Sequence, residues 1–240
     1  MHAAIVTGGS SGIGAEICRR MLAAGFRVFS LDRAPCEISG GAFTAITVDL
    51  TDATATAAAA ARIVAETPIS HIVHNAGIIR PAPLADVTGE DLHTLTQLHL
   101  GAPTLLVQAA LPAMRTARFG RIVLLSSRAA LGLQTRSAYS ATKAGMIALA
   151  RTWALELAAD GITVNCIAPG PIAGTTMFHD VVPEGSERQA ALARSIPVQR
   201  LGTPDDVAHA AMFLADAASG FITGQTLFVC GGSSVGSLTI

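Results

Sequence analysis

The chain has 240 residues, of which 50% are hydrophobic and only 14% charged, with a formal net charge of -1. That length suits one sizeable α/β domain; the near-neutral balance offers no footprint for nucleic acid or an anionic membrane, and no apolar run approaches the roughly 18 residues of a membrane span. A charged fraction well below the usual ~25% leaves little polar surface, which points to burial of part of it in a homo-oligomer.

Residues 3–7 read as a buried strand, which leaves no room before it for a signal peptide, so a cytoplasmic protein is expected. Gly8-Gly9-Ser10-Ser11-Gly12-Ile13-Gly14 follows as a turn, and residues 15–24 as a helix stopped by Gly25. A glycine loop between a strand and a helix lets backbone approach a diphosphate, and the free N–H groups of the helix start supply the donors an anion needs. The second strand, residues 26–31, ends at Asp32, about 20 residues past the loop, where a dinucleotide fold places the acid that binds the adenosine ribose. An acid there favours NAD over NADP, while the neighbouring Arg33 keeps a 2'-phosphate possible.

A third strand over 42–48 leads into Asp49, and an alanine-rich helix over 51–66 takes Thr51 or Asp52 as its cap. Residues 69–74 form the next strand and run into Asn75-Ala76-Gly77. His71 and His74 face opposite sides of it, so they are read as structural, and no metal site is expected. Thr88 caps a long helix to about Arg118, with Pro103 kinking it or interrupting its hydrogen bonding and His99 near its middle. Residues 121–125 form a strand whose carboxyl end carries Ser126-Ser127, where ligands collect in an open α/β sheet. Another strand over 162–168 closes on Pro169-Gly170-Pro171. Residues 174–197 read as irregular, with Met177, Phe178, Val181 and Val182 available to cover a ligand. A helix over 205–215 and a strand over 226–230 complete the chain. Cys18, Cys36, Cys166 and Cys230 lie far apart with no CxxC, which disfavours a disulfide framework or structural metal.

The only tyrosine and the only lysine are Tyr139 and Lys143. Apolar spacing at Met146, Ile147, Ala150, Trp153, Ala154 and Leu157 predicts a helix there, which puts the pair on one face about 6 Å apart along the axis. A fixed positive charge favours a phenolate, so such a pair can serve as a general acid/base near neutral pH.

Together these pieces resemble the short-chain dehydrogenase/reductase family over essentially the whole chain. Thr7-Gly8-Gly9-Ser10-Ser11-Gly12-Ile13-Gly14 is similar to its cofactor loop, Asp49 with Leu50 to its adenine contact, and Asn75-Ala76-Gly77 to its central-strand motif. Tyr139-Ser140-Ala141-Thr142-Lys143 is similar to its YxxxK signature, and Pro169-Gly170-Pro171-Ile172 to its nicotinamide-side segment. The resemblance implies a single doubly wound, mostly parallel Rossmann-type sheet over 1–240 with helices on both faces, a small alcohol or ketone substrate, and a homotetramer. It also implies roles: Tyr139 as acid/base, Lys143 lowering its pKa and binding the nicotinamide ribose, and Ser127 rather than Ser126 holding the substrate oxygen.

Two departures stand out. His99, in Leu98-His99-Leu100, occupies the place of a family asparagine on the proton path, and with an ordinary pKa of about 6.5 it could relay protons. Thr175 stands one place late for the threonine expected at the nicotinamide carboxamide. The leading expectation is therefore an NAD-dependent dehydrogenase. Its rivals are an NADPH-dependent ketoreductase, such as a β-ketoacyl-acyl-carrier-protein reductase, and a non-catalytic dinucleotide-binding protein. Arg128 and Arg136, between the serine and the tyrosine, are read as solvated loop residues, with a carboxylate contact as the alternative.

Overall fold

A computed structural model describes residues 2–235. Seven strands form one parallel sheet: β1 (Ala3–Thr7), β2 (Arg27–Asp32), β3 (Phe43–Thr47), β4 (His71–His74), β5 (Gly120–Leu125), β6 (Ile162–Pro169) and β7 (Thr226–Val229). Their order is β3-β2-β1-β4-β5-β6-β7. Every residue of β1, β4, β5 and β6 is buried, because helices cover both faces; hence β1, β5 and β6 read largely as apolar runs rather than alternating patterns, while β4 carries a histidine at each end.

One face carries α1 (Gly12–Ala23) packed beside α8 (Pro204–Ala215). The other carries α2 (Ala53–Glu66), α4 (Ala102–Ala117) and α5 (Ser137–Leu157), the last two burying Leu106, Met114, Met146 and Leu157 in the larger of the two main core clusters. Caps set the starts. Asp52 accepts from the N–H groups of Thr54 and Ala55, and Thr203 and Asp206 form a capping box that opens α8. Strand order reverses between β1 and β4, which splays the flanking connections and leaves a crevice at the carboxyl ends of the strands.

Two stretches differ from the sequence reading. The long helix expected from Thr88 to about Arg118 is α3 (Gly89–Thr96), a π-turn (Gln97–Gly101) and then α4, the ladder being interrupted before Pro103 rather than at it. Pro103 is the second residue of α4, so its missing N–H falls where the wider turn has already interrupted the ladder. Residues 174–197 are not irregular throughout: they hold α6 (Thr176–His179), capped by Thr175, and α7 (Glu187–Ser195), capped by Ser186. Neither buries a fully apolar face, so periodicity does not reveal them.

His71 and His74 point to opposite faces of the sheet. The His71 imidazole donates from Nε2 to the Ala215 carbonyl at 3.1 Å, and the His74 Nδ1 takes the Thr7 hydroxyl at 3.0 Å. Burial pushes their pKa values down to about 4 and about 3. Because a lowered histidine pKa favours the neutral form in the fold, their contribution is complete above the unfolded value near 6.5 and is lost as pH falls. Each should cost about 2 kcal/mol at pH 5. Urea unfolding at pH 7.5 and pH 5 is the check; equal stabilities would show that the fold accommodates the protonated rings.

Candidate active site

The cofactor loop is built by glycines that nothing larger could replace. A Cβ on Gly14 would lie 2.0 Å from the Gly8 carbonyl oxygen, and one on Gly8, which has a φ of +67°, would lie 2.8 Å from Asn75 Nδ2. Asn75 is therefore a brace: its amide donates to the Thr7 and Gly8 carbonyls at 3.2 and 3.1 Å. The Thr7 hydroxyl accepts from the N–H groups of Asn75 and Ala76, both at 3.0 Å, and gives its own proton to His74. This polar knot ties the ends of β1 and β4 together beneath the crevice. Thr7 appears in the sequence motif, but pairing it with His74 needs the strand register.

A cleft of about 920 Å³ opens above the knot. Gly8, Ser10, Ser11, Gly12, Ile13, Asp32, Asp49, Leu50, Asn75, Ala76 and Gly77 line one part; Ser127, Tyr139, Lys143, Pro169, Gly170, Ile172 and Thr175 line the other. Gly14 is packed under the loop instead, and His99 stands behind the wall. The Asp32 carboxylate accepts from the Ser10 N–H at 3.1 Å, from the Ser10 hydroxyl, and from the Ala34 N–H at 3.1 Å, so it is locked to the start of the loop. The Thr51 hydroxyl and N–H hold the Asp49 carboxyl below the usual carboxylate range. Gly170 is pinned by its N–H on the Val229 carbonyl at 2.9 Å, with no room for a Cβ, which would meet Cys230 Cα at 2.8 Å. Thr175 faces the loop, its methyl 3.0 Å from where a Cβ on Gly12 would sit. A cradle this close to bare backbone, with a carboxylate at one end and a buried ammonium at the other, fits a dinucleotide.

At the ammonium end Ser126 and Ser127 part company. The Ser126 hydroxyl donates to the Lys143 carbonyl at 2.7 Å and is buried; the Ser127 hydroxyl accepts from the Ala129 N–H at 3.1 Å and faces the phenol of Tyr139. Burial pushes the Tyr139 pKa up, while Ser127 and the Arg136 charge draw it back. Lys143 Nζ donates to the Leu125 carbonyl at 2.6 Å and lies 5.7 Å from the Tyr139 ring centre. Burial brings the Lys143 pKa down to about 7. Ser127 and Arg136 thus join Lys143, expected from the helical spacing, as polar neighbours of the phenol.

His99 is fully buried in the π-turn. Thr142 already gives its hydroxyl proton to the Ala138 carbonyl at 2.9 Å, so at 2.8 Å it accepts from His99 Nδ1. That fixes the tautomer: Nδ1 carries the proton and Nε2 the lone pair, with no partner among the described residues. A Cβ on Gly77 would sit 3.1 Å from this Nε2 and 3.4 Å from Lys143 Nζ, so both nitrogens flank the bare backbone of Gly77. Burial, then the Lys143 charge, then His74 hold His99 far below its ordinary pKa. The ring therefore stays neutral across the working pH range, contrary to the expectation from its unperturbed pKa. The hydrogen-bond chain through Thr142 runs on to the Ala138 carbonyl inside α5. Thr142, one residue before Lys143 in the sequence, is the residue that sequence reasoning passed over.

Comparison with known proteins gives a consistent result. A family profile described as enoyl-(acyl carrier protein) reductase matches residues 8–234. An acetoacetyl-CoA reductase of Rhizobium meliloti (strain 1021) is 38% identical over 236 residues, covering 95% of this chain and 97% of that protein. With two longer curated relatives, the match spans only 66% and 64% of their length. Among solved structures, an oxidoreductase of the short-chain dehydrogenase/reductase family from Burkholderia thailandensis is 34% identical with a TM-score of 0.90, covering 98% of this chain and 94% of that one. ElxO with NADP bound is 27% identical with a TM-score of 0.88, covering 96% and 98%. With a parallel sheet in the order 3-2-1-4-5-6-7, the glycine loop and Tyr139/Lys143 on one helix, this chain belongs to the short-chain dehydrogenase/reductase family.

Proposed function

We propose that the chain is an NAD-preferring oxidoreductase that interconverts a secondary alcohol and a ketone, with Tyr139 as general acid/base. The observation that carries this reading is the placement of the Ser127 hydroxyl and the Tyr139 phenol together at the end of a dinucleotide cradle, backed by the buried Lys143 ammonium. A nicotinamide dinucleotide, when bound, supplies or accepts hydride at the carbinol carbon. The chain's residues handle the oxygen. Ser127 donates a hydrogen bond to it, and Tyr139 gives it a proton on reduction or takes one on oxidation. Lys143 holds positive charge at the ribose end of the nicotinamide. His99, a neutral ring whose Nε2 lone pair and the Lys143 ammonium both flank Gly77, serves in this reading as a positioning residue rather than a proton exit.

The preference for NAD rests on Asp32, whose carboxylate is held where an adenosine ribose would lie and would meet a 2'-phosphate at close range. The rival is an NADPH-dependent ketoreductase of the acetoacetyl-CoA or β-ketoacyl-carrier-protein kind, favoured by the R. meliloti relative, by the NADP-bound neighbour, and by Arg33 beside Asp32 in the cleft. A non-catalytic dinucleotide-binding protein is the third reading; turnover of any ketone removes it. Wild-type kcat/KM should be higher with NADH than with NADPH. Asp32→Ala should narrow the gap by about 100-fold, weakening NAD by freeing Ser10 and admitting NADP by removing like charge. A wild-type preference for NADPH would overturn the assignment. Exposed Leu155, Phe213 and Phe221 support assembly into a homo-oligomer, a tetramer by family resemblance, and a cytoplasmic location goes with this reading.

A further inference from the structure

The substrate half of the cleft is lined by three guanidinium groups, those of Arg128, Arg136 and Arg188, and by one carboxylate, Asp180. Among the described residues none of these three arginines is in an ion pair, a state they share with Arg33, Arg62, Arg118, Arg121 and Arg151; what sets them apart is their place on the wall of the cleft's substrate half. Arg128 and Arg136 are half-buried at the cleft, with no carboxylate partner among the described residues.

Arg136 is held in place by unusual backbone. Thr135, a β-branched residue, sits at a φ of +62°, in the left-handed region that such residues avoid. The Ala82 N–H pins its carbonyl at 3.1 Å, and Ala82 and Arg136 form an isolated bridge. The Arg136 side chain bonds only to Thr135 among the described residues, at 2.7 Å to the hydroxyl and 3.2 Å to the carbonyl, so most of its planar fork is available. Arg136 stands at the N-cap position of α5 without a side-chain cap bond, one helical turn before Tyr139, about 5 Å away along the backbone. Its charge reaches the phenol. Arg128 directly follows Ser127 and lines the same space.

Resting on the reaction proposed above, we infer that Arg136 and Arg128 form a carboxylate subsite, so that the substrate is a short α- or β-hydroxy acid or the corresponding oxo acid. The planar guanidinium fork matches a carboxylate in bidentate geometry. The single turn between Arg136 and Tyr139 leaves room for only a few carbons between the carboxylate and the reacting carbon. A coenzyme A thioester would bring no charge to this place, since its phosphates lie at the far end of the pantetheine arm.

The test sets pyruvate and acetoacetate against their methyl esters and against acetoacetyl-CoA, with NADH, in the wild type and Arg136→Gln. Calorimetry of malonate binding to the protein with NAD+ is the second readout. At least one free acid should exceed its ester in kcat/KM by about 10-fold or more. Arg136→Gln should lower kcat/KM for that acid by about 100-fold and leave the ester within about threefold, and malonate affinity should fall by about 100-fold. Preference of the wild type for the ester or thioester, or an equal loss for acid and ester in the variant, overturns the subsite. If no ketone is turned over, the proposed reaction fails and malonate decides this inference alone: binding lost in Arg136→Gln supports it, and no binding by the wild type overturns it.

Discussion

Tyr139→Phe should lower kcat by about 100- to 10,000-fold while leaving dinucleotide affinity within a few fold, since only the proton-transferring hydroxyl is removed from a ring that stays packed. The burial of that hydroxyl adds a direction with pH. With the Tyr139 pKa raised, the phenol is protonated at neutral pH and is poised to give a proton in ketone reduction. Alcohol oxidation needs the phenolate, so its rate should climb as pH rises above neutrality, whereas reduction should be flat there and fall only at high pH. Stopped-flow turnover in both directions, with fluorescence titration of NADH, checks each part. A variant with near wild-type kcat would remove Tyr139 from the proton path, and an oxidation rate that is independent of pH would show that the occupied site undoes the effect of burial.

Lys143→Met should have two effects of opposite sign. Activity should drop by about 100- to 1000-fold in kcat/KM, because the positive charge at the nicotinamide end is lost. Stability should rise. A lysine whose folded pKa is brought down to about 7 from an ordinary value of 10.5 penalises the fold at all pH values below the unfolded pKa, fully so below 7. The shift corresponds to about 4 kcal/mol at pH 7, of which about 1–3 kcal/mol should be recovered after the cost of leaving the Leu125 carbonyl without its donor. Urea unfolding should find the variant more stable than the wild type; a less stable variant would mean that Lys143 is structurally required. His99 acts on the same equilibrium. His99→Leu removes the acceptor that faces the ammonium, so Lys143 should lose its proton at lower pH and the alkaline limb of kcat should move down, while His99→Asn, which keeps an acceptor, should hold much of the activity. An unchanged pH profile in His99→Leu would assign the ring to packing alone.

What could be read from the sequence follows from where burial is two-sided. β1, β5 and β6 announce themselves as apolar runs because helices cover both of their faces, and the glycine loop and the Tyr139/Lys143 spacing are local patterns that no packing detail can hide. The electrostatics were not legible. That Lys143 turns to Leu125 and that His99 is held neutral depend on desolvation, a property of the assembled core. Arg136 reads as a solvated loop residue because nothing in Gln134-Thr135-Arg136 signals the positive φ at Thr135 that sets it over the cleft. The π-turn escapes as well, since one added residue leaves the apolar count of the helix intact and changes only its phase.

That phase has a consequence of its own. Each residue of an α-helix advances the azimuth by about 100°, so one residue absorbed by the turn at Gln97–Gly101 rotates every later side chain by that angle without moving the axis. Upstream, Leu95 points into the small cluster with Ala129, Ala138 and Tyr139; downstream, Leu106, Ala110 and Met114 point into the main core against the sheet. An uninterrupted helix could aim only one of these sets correctly. The turn therefore works as an angular gear between two packing surfaces, and His99 sits at its mesh. Shortening the segment by one residue would leave the hydrophobic content unchanged yet put it out of step with one of its two neighbours.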